Sequence, residues 1–234
     1  MIHNQNTAPP SPTSTFMDYS VSAPAPSSAL VGSLSTTIVS LTSSTRFIGQ
    51  VTLTINPTES VSCNDHADTF LTTLSVPGSL ALMCTATREG SYSIYITAAS
   101  GSISHSILVQ FAFRLRTTEL SVGCSPSTLI QGQGTSSCTA SITDTSASPM
   151  VLTGSVGFSY NSSNPYFLVP CPSGSGDCYS DATRCTLVST GTCSVQFGSS
   201  GTSSPAPATY LISAFFFGDE FHAPSQGRTD LTFI

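Results

Sequence analysis

The sequence predicts an almost purely β protein that contains two sandwich domains. Roughly a third of its 234 residues are Ser or Thr, which suit solvated strand faces and turns better than helices. Short alternating segments recur between clusters of Gly, Pro, Ser and Asn, as expected of a sandwich or a barrel, and no comparable helical period is present. The same order of segments occurs twice, which predicts two domains.

The strands of the first half follow from alternation of apolar residues. In GQVTLTINP, Val51, Leu53 and Ile55 share one face. The stretch SYSIYITAASGSISHSILVQFAF predicts a hairpin that turns near Ser100 and Gly101. Its return strand places a set of apolar residues on one side: Ile103, Ile107, Val109, Phe111 and Phe113.

The second half repeats both patterns. TGSVGFSY alternates through Val156, Phe158 and Tyr160, and ATYLISAFFFGDEFHAPSQGRTDLTFI forms the closing hairpin. We therefore predict a first domain over 15–115 and a second over 116–234, joined by a short link near Arg114 to Thr118. Residues 1–14 are polar and rich in Pro, and we expect them to be disordered or extended.

Composition excludes several classes of protein. Only 8% of residues are charged, Lys is absent and the net charge is −6, so nucleic acid is not an expected partner. No stretch approaches the length of a transmembrane helix, and the N-terminal residues lack the pattern of a signal peptide. We expect no membrane insertion, and we expect any export signal to lie outside this sequence. Sparse charge also suits an acidic environment, because few carboxylates would need to be protonated.

The cysteines divide evenly between the halves: Cys63 and Cys84 in the first, and Cys124, Cys138, Cys171, Cys178, Cys185 and Cys193 in the second. Zinc sites usually take their ligands from Cys-x2-Cys knuckles, and the sequence has none. We therefore predict disulfides, although six cysteines in one domain permit many pairings. Disulfides in turn predict an oxidising, extracytoplasmic environment.

Two parts of the sequence match a recurring domain pattern. In CTATREGSYSIYITAASGSISHSILVQFAF, the matching positions are Cys84, Gly90, Tyr92, Gly101 and His105. In the second half, the matching runs are CSPSTLIQGQGTSSCTASITDTSASPMVLTGSVGF, CTLVSTGTCSVQF and GDEFHAPSQG. The first part resembles Ig-like repeats of exported bacterial and archaeal surface proteins, and the second is similar to a related repeat. The resemblance covers about residues 15 to 234 and implies two tandem immunoglobulin-like β-sandwich domains. Such repeats serve as spacers, adhesive modules and assembly units, so it implies no single function.

The resemblance also bears on the disulfides. It favours Cys124 with Cys138 and Cys185 with Cys193, and the remaining pairs are then Cys171 with Cys178 and Cys63 with Cys84. The stretch NSSNPYFLVPCPSGSGDCYSDATR is longer than the usual connection of such repeats and brings an extra cysteine pair. We therefore predict a long, disulfide-framed loop over 161–181.

Asp219, His222 and Ser225 lie close together before the last strand and invite comparison with a hydrolase triad. A triad needs the imidazole bonded to both other side chains, and its members usually come from distant segments. Three residues of one loop seldom converge in this way, and no Gly-x-Ser-x-Gly elbow occurs. We predict instead that Asp219 caps backbone amides in the turn, while Pro224 and Gly227 shape the entry to the final strand.

The stretch CNDHAD combines soft and hard metal ligands within six residues. If Cys63 is in a disulfide, His66 and two carboxylates remain on a surface turn, which is an ordinary solvated arrangement. Weak Ca²⁺ binding by Asp65 and Asp68 is the residual alternative, because hard cations favour carboxylate oxygens. We predict no metal site and no cofactor.

Two further polar residues have structural interpretations. His105 lies on the apolar side of its strand, where packing with a satisfied ring nitrogen is expected rather than catalysis. Asn161 begins an Asn-Ser-Ser triplet and is a candidate glycosylation site. No pair of acids suited to glycoside hydrolysis is visible, since the twelve acidic residues fall mostly in turns.

These observations predict a non-enzymatic extracellular structural module, a spacer or self-assembling subunit of a cell-surface layer, appendage or filament. Its expected partners are further copies of itself or neighbouring surface-protein domains. The N-terminal segment is a poor donor strand because it is polar and contains Pro, so packing of folded domains edge to edge or end to end is favoured. The alternative is an adhesin that binds a glycan or a protein through loop 161–181, with the aromatic residues Tyr160, Tyr166, Phe167 and Tyr179.

Overall fold

The computed structural model describes residues 17–161, 169–170, 184–198 and 206–234. These residues fall into two compact units. Unit 1 takes its residues from Met1–Ala29, Ser33–Ala86 and Gly90–Ala112, and unit 2 from Leu30–Gly32, Thr87–Glu89 and Phe113–Ile234. All regular secondary structure in the described ranges is β, and the predicted fold class of two tandem Ig-like sandwiches is confirmed. No helix in these ranges is long and apolar enough to cross a membrane.

The described residues of the first half form nine strands: β1 (Ser20–Ser22), β2 (Ala29–Leu30), β3 (Ser35–Thr42), β4 (Gln50–Asn56), β5 (Val61–Cys63), β6 (Phe70–Ser75), β7 (Gly78–Ala86), β8 (Gly90–Ser100) and β9 (Ile103–Arg114). They form a four-stranded sheet in the order β1-β3-β7-β5 and a five-stranded sheet in the order β2-β9-β8-β4-β6.

The second half repeats this plan: β10 (Thr118–Ser125), β11 (Thr128–Leu129), β12 (Thr135–Asp144), β13 (Ser155–Tyr160), β14 (Val169–Pro170), β15 (Arg184–Thr186), β16 (Thr192–Gly198), β17 (Ala208–Phe216) and β18 (Ser225–Phe233). One sheet has the order β10-β12-β16-β14, and the other has the order β11-β18-β17-β13-β15.

The core of unit 1 lies between its two sheets and follows the alternation of the sequence. Val51, Leu53 and Ile55 on β4 are fully buried, as their period of two predicts. The hairpin of β8 and β9 turns at Gly101, whose φ of 57° is in the left-handed region that glycine adopts readily. On β9, burial deepens along the strand to Val109 and Phe111, and Phe113, which is assigned to unit 2, is buried as well, so the predicted face of this strand is confirmed.

Unit 2 has a comparable core. Val156 and Phe158 of β13 are buried, and Tyr160 is half-buried and packs against the same cluster. The largest fully enclosed side chains are Phe197, Phe216 and Phe233, each contributing about 1.5–3 kcal/mol by burial.

The edge strand β10 lies close to β18 of the facing sheet. A Cβ added at Gly227 of β18 would come within 2.5 Å of the Leu120 carbonyl oxygen. The hydroxyl of Thr118 donates to the Ala223 carbonyl oxygen at 2.9 Å, and Thr118 Oγ1 also forms a hydrogen bond with Ser225 Oγ at 2.8 Å. These contacts close one side of the sandwich.

Candidate functional site: a buried histidine between two carboxylates

The end of unit 2 that contains the connection between β17 and β18 holds a cluster of buried polar side chains. Asp219 and His222 lie in this connection, Asp144 is the last residue of β12, and Arg116 lies just before β10. Arg116 and His222 are almost completely shielded from solvent. Charged or titratable groups are seldom buried without partners, so the contacts of this cluster determine its role.

His222 bridges two carboxylates. Its Nδ1 lies 2.7 Å from Asp219 Oδ1, and its Nε2 lies 3.2 Å from Asp144 Oδ2. The imidazole side chain is 0% exposed. Both ring nitrogens therefore face protein oxygens, and neither is open to a substrate.

Asp219 organises the turn in which it lies. Its Oδ1 accepts hydrogen bonds from the amides of Phe221 and His222 at 2.9 and 2.8 Å, so the predicted amide capping is present. Its Oδ2 accepts from the amide and the hydroxyl of Thr153 at 2.9 and 3.0 Å. Burial on its own raises the pKa of Asp219, but the hydrogen bonds from Thr153, Phe221 and His222 outweigh it and hold the pKa below the usual 3.8.

Asp144 organises the loop that follows β12 in the same manner. Its Oδ1 accepts from the amide of Ser146 at 2.8 Å and from the Ser146 hydroxyl, and its Oδ2 accepts from the amide of Met150 at 2.8 Å. Burial opposes ionisation of this carboxyl, yet these bonds and the contact with His222 lower its pKa from 3.8 to about 2. Asp144 is thus an ionised group held in place from three sides.

Arg116 joins the same region through side chain and backbone. Its Nη1 donates to Ser146 Oγ at 3.3 Å and to the Ser148 carbonyl oxygen, and its Nη2 donates to the Val31 carbonyl oxygen at 3.4 Å. Its amide donates to the Phe221 carbonyl oxygen at 2.8 Å, and its carbonyl oxygen accepts from the Ala223 amide at 2.8 Å. The cluster therefore connects the residue before β10, the loop after β12 and the connection before β18.

The cluster lacks the geometry of a hydrolase triad. The Ser225 hydroxyl forms its hydrogen bond with Thr118 Oγ1 rather than with the ring of His222. A triad requires a nucleophile bonded to the imidazole and space for a substrate next to it. His222 instead has a carboxylate at each nitrogen, so the cluster holds loops together. The four residues Arg116, Asp144, Asp219 and His222 are called the clasp.

His105 has the predicted structural role at the rim of unit 1. Its Nε2 lies 2.8 Å from Asp18 Oδ1, and its ring meets the ring of Tyr19 edge-on at 5.1 Å. The hydrogen bond from His105 is the main reason that the pKa of Asp18 is lowered. The Tyr19 hydroxyl donates to the Ala98 carbonyl oxygen at 2.8 Å, which fixes the residues just before β1 against β8.

The CNDHAD stretch forms a tight exposed turn. Cys63 is bonded to Cys84 on the neighbouring strand β7, and the ring of His66 stacks on Phe70 at 4.7 Å. Asn64 and Asp65 have positive φ, which residues of this type tolerate in turns. No group of three metal-ligating side chains occurs in the ranges that the structure describes.

Three disulfides are present in the described residues: Cys63–Cys84, Cys124–Cys138 and Cys185–Cys193. All three are pairs that were expected. No described cysteine is a free thiol. Cys171 and Cys178 lie outside the described residues, so their pairing stays a prediction.

The predicted ligand-binding loop also falls mainly outside the described residues, which include neither Tyr166 nor Phe167 nor Tyr179. Tyr160 serves the core of unit 2 through its packing. Asn161, the candidate glycosylation site, is exposed, and its Oδ1 accepts from the Leu211 amide at 2.7 Å. Attachment of a glycan to Asn161 stays a prediction.

The outer face of unit 2 carries an aromatic pair that was not predicted from the sequence. Phe215 and Phe217 are 42% and 48% exposed, and their rings meet edge-on at 4.9 Å. The guanidinium of Arg184 lies 4.7 Å from the centre of the Phe217 ring, a cation–π contact. Gly157 lies beneath this ring, since a Cβ there would come within 3.2 Å of it. The FFF run is the signal, because alternation places its middle member on the face opposite the other two. Phe216 continues the buried face of Ile212 and Ala214, so the two flanking rings lie outside.

Comparisons with known proteins give structural likenesses at low similarity. The D0–D1 domain of intimin matches with 12% identity and a TM-score of 0.30, covering 92% of this chain and 97% of that one. The D00–D0 domain of intimin matches with 10% identity and a TM-score of 0.33, covering 92% and 99%. Domains 5–6 of the S-layer protein SbsC match with 14% identity and a TM-score of 0.28, covering 94% and 98%.

No family model matches the chain, and no curated protein matches it in sequence. Because all three TM-scores are low, the function has to be inferred from the residues of this chain.

Proposed function

We propose that this chain is a non-enzymatic structural module of the cell exterior, a spacer or self-assembling subunit of a surface layer, appendage or filament. The observation that carries this proposal is that each ring nitrogen of His222 contacts a carboxylate of the protein. The residues that most resemble catalytic machinery are sealed from solvent and bonded to one another, which suits a group that holds loops together. An active-site histidine needs one nitrogen directed at a substrate or a nucleophile.

The disulfides support a location outside the cytoplasm. Cytosolic thiols are kept reduced in most cells, whereas disulfides persist on cell surfaces and in secreted proteins. Among the described residues, Cys63–Cys84 and Cys124–Cys138 each link two paired strands, and Cys185–Cys193 links the two sheets of unit 2. They stabilise a chain whose sparse charge leaves few ion pairs to do so.

Protease treatment of intact native cells tests this proposal. The protein should be digested from outside while a cytoplasmic marker stays intact, and electron microscopy of the released material should show it within a layer or an appendage. Digestion only after lysis would overturn the external location. A free-thiol count near eight on unfolded, unreduced native protein would overturn it independently.

A second candidate function is adhesion, and the aromatic pair on unit 2 favours it. Arg184 is opposite Gly157 on β13, and Gly157 is opposite Phe215 on β17, so ring faces and a planar donor share one surface. Exposed rings beside a guanidinium suit the apolar face and hydroxyl groups of a sugar. Replacing Phe215 and Phe217 together by Ala should abolish binding on a glycan array, whereas Tyr95→Ala on unit 1 should not. Equal binding by both variants would remove this candidate.

A further inference from the structure

We propose that the edge strand β6 of unit 1 is a self-association interface, pairing with β6 of a second copy to continue the five-stranded sheet. This inference rests on the self-assembling form of the proposed function and names one surface through which two copies would associate. An edge strand has a row of backbone N–H and C=O groups that can pair with another strand. Whether another strand can add to an edge depends on how that edge is protected.

The other sheet edges are short or protected. Eight described strands lie at sheet ends, and six of them have only two or three residues: β1, β2, β5, β11, β14 and β15. The seventh, β10, has eight residues, but it contains Glu119 and its Leu120 carbonyl is closely approached by Gly227 of β18. Short strands, charges and covering elements are the usual guards against edge pairing.

β6 has none of these guards along its length. It has six residues, Phe70–Ser75, with no charge and no Pro, and its strand neighbour in the described residues is β4. Leu71, on the outward face, is 66% exposed. An unguarded strand of this kind favours addition of another strand.

The sheet face next to this edge is also uncharged. In the register of β4 and β6, Leu71 is opposite Thr54, Thr73 is opposite Thr52, and Ser75 is opposite Gln50. The whole chain has a net charge of −6, so two copies repel each other on average. That repulsion is weakest where the approaching surfaces contain no charge, so the β6 edge is where a second copy meets the least electrostatic resistance.

A two-fold axis fixes the possible registers. Opposite residues of an antiparallel pair share one face of the sheet, so outward residues of one β6 must meet outward residues of the other. Together with the largest overlap of two six-residue strands, this condition centres the pair on Thr72 or on Thr73. With Thr73 at the axis, Leu71 is opposite Ser75 of the second copy, and no like charges meet. Such an isologous contact closes as a dimer and adds no further subunits by itself.

The test is a set of substitutions at Thr73, studied by sedimentation of the full chain over a wide range of protein concentration. The wild type should associate reversibly, and Thr73→Lys should weaken the association at least tenfold, because it brings two Lys side chains together near the axis. The matched control is Thr52→Lys, which adds the same charge on the same face one strand inward. It should associate like the wild type.

A mixture provides a second readout that does not depend on the stability of one variant. Thr73→Asp alone should also fail to associate, and equal amounts of Thr73→Lys and Thr73→Asp should associate again, because Lys then meets Asp across the axis. Both variants should keep the β-sheet circular dichroism of the wild type.

The outcomes separate the two proposals. A wild type that stays monomeric overturns the β6 interface and leaves the spacer form of the proposed function, which the protease experiment tests. A wild type that associates while Thr73→Lys associates equally well overturns the β6 interface alone. Equal disruption by Thr52→Lys also overturns it, because association would then use the sheet face rather than the edge.

Discussion

Asp144 Oδ2 and His222 Nε2 lie 3.2 Å apart although 78 positions separate the two residues in the chain. Asp144 ends β12 in one sheet of unit 2, and His222 precedes β18 in the other. With Asp219 on its second nitrogen, His222 fixes the loops at one end of the sandwich. A fully satisfied buried network of this kind favours one loop arrangement over others, because each alternative would leave a polar group unpaired.

The first prediction concerns Asp144→Asn. The substitution keeps the size of the side chain but places an NH₂ group against donors, because both carboxylate oxygens accept hydrogen bonds from Ser146, Met150 or His222. We expect unit 2 to lose about 2–4 kcal/mol in free energy of unfolding. Urea unfolding followed by circular dichroism measures this loss.

The matched control is Asp230→Asn, which removes the same charge from an exposed position on β18. It should change the free energy of unfolding by less than about 0.5 kcal/mol. Similar losses for both variants would show that net charge, and not the contacts of Asp144, determines the result.

The second prediction is the pH dependence of stability. Asp144 has a folded-state pKa of about 2 against 3.8 for the model carboxyl, and the pKa of Asp219 is also lowered. A lowered folded pKa stabilises the native state fully above the unfolded value, and this contribution is lost as pH falls through the folded value. For Asp144 it amounts to about 2 kcal/mol. Stability should therefore stay level from neutral pH to about pH 5 and decline from there to about pH 2.

The contribution of Asp144 to this profile can be isolated. Free energies of unfolding measured in urea at a series of pH values should show a smaller decline for Asp144→Asn than for the wild type. Parallel profiles for the two proteins would contradict the assignment, since the missing carboxyl would then have no part in the acid loss.

The sequence predicted the strands well because burial in a sandwich has a period of two, which can be read locally. Val51, Leu53 and Ile55 are all fully buried, and the turn at Gly101 lies where the hairpin pattern breaks. The role of Asp219 as an amide cap could also be predicted, since its partners Phe221 and His222 are its immediate neighbours.

The clasp could not be predicted because it depends on contacts between distant segments. Asp144 ends a strand in a run of small polar residues, and nothing in that run indicates His222 as its partner. Arg116 was placed only in a link, yet it is almost fully buried against the loop after β12. The buried face of a strand can be predicted from its local sequence, whereas contacts between loops depend on how the two sheets pack against each other.

The third prediction tests the approach of β10 to β18. Gly227→Ala would place a methyl group 2.5 Å from the Leu120 carbonyl oxygen and 2.6 Å from Leu120 Cδ2, so the two strands would have to separate. We expect a loss of about 2–4 kcal/mol in the free energy of unfolding. Gly123→Ala on β10 is the control, because a Cβ there meets nothing within 4 Å. It should be neutral or slightly stabilising, and equal losses for both would refute the close contact.

The last prediction concerns the disulfide of unit 1. Cys63 and Cys84 are directly opposite each other on β5 and β7, and their bond closes a loop with a sequence separation of 21. Replacing both by Ala should lower the free energy of unfolding by about 3 kcal/mol, chiefly because the unfolded chain gains freedom. The pair Cys185 and Cys193, with a separation of 8, should cost slightly less when replaced in the same way. Urea unfolding of the two double variants measures both losses. If removal of Cys63–Cys84 costs less than about 1 kcal/mol, the strands of unit 1 are held by their packing and hydrogen bonds, and the bond contributes little to the fold.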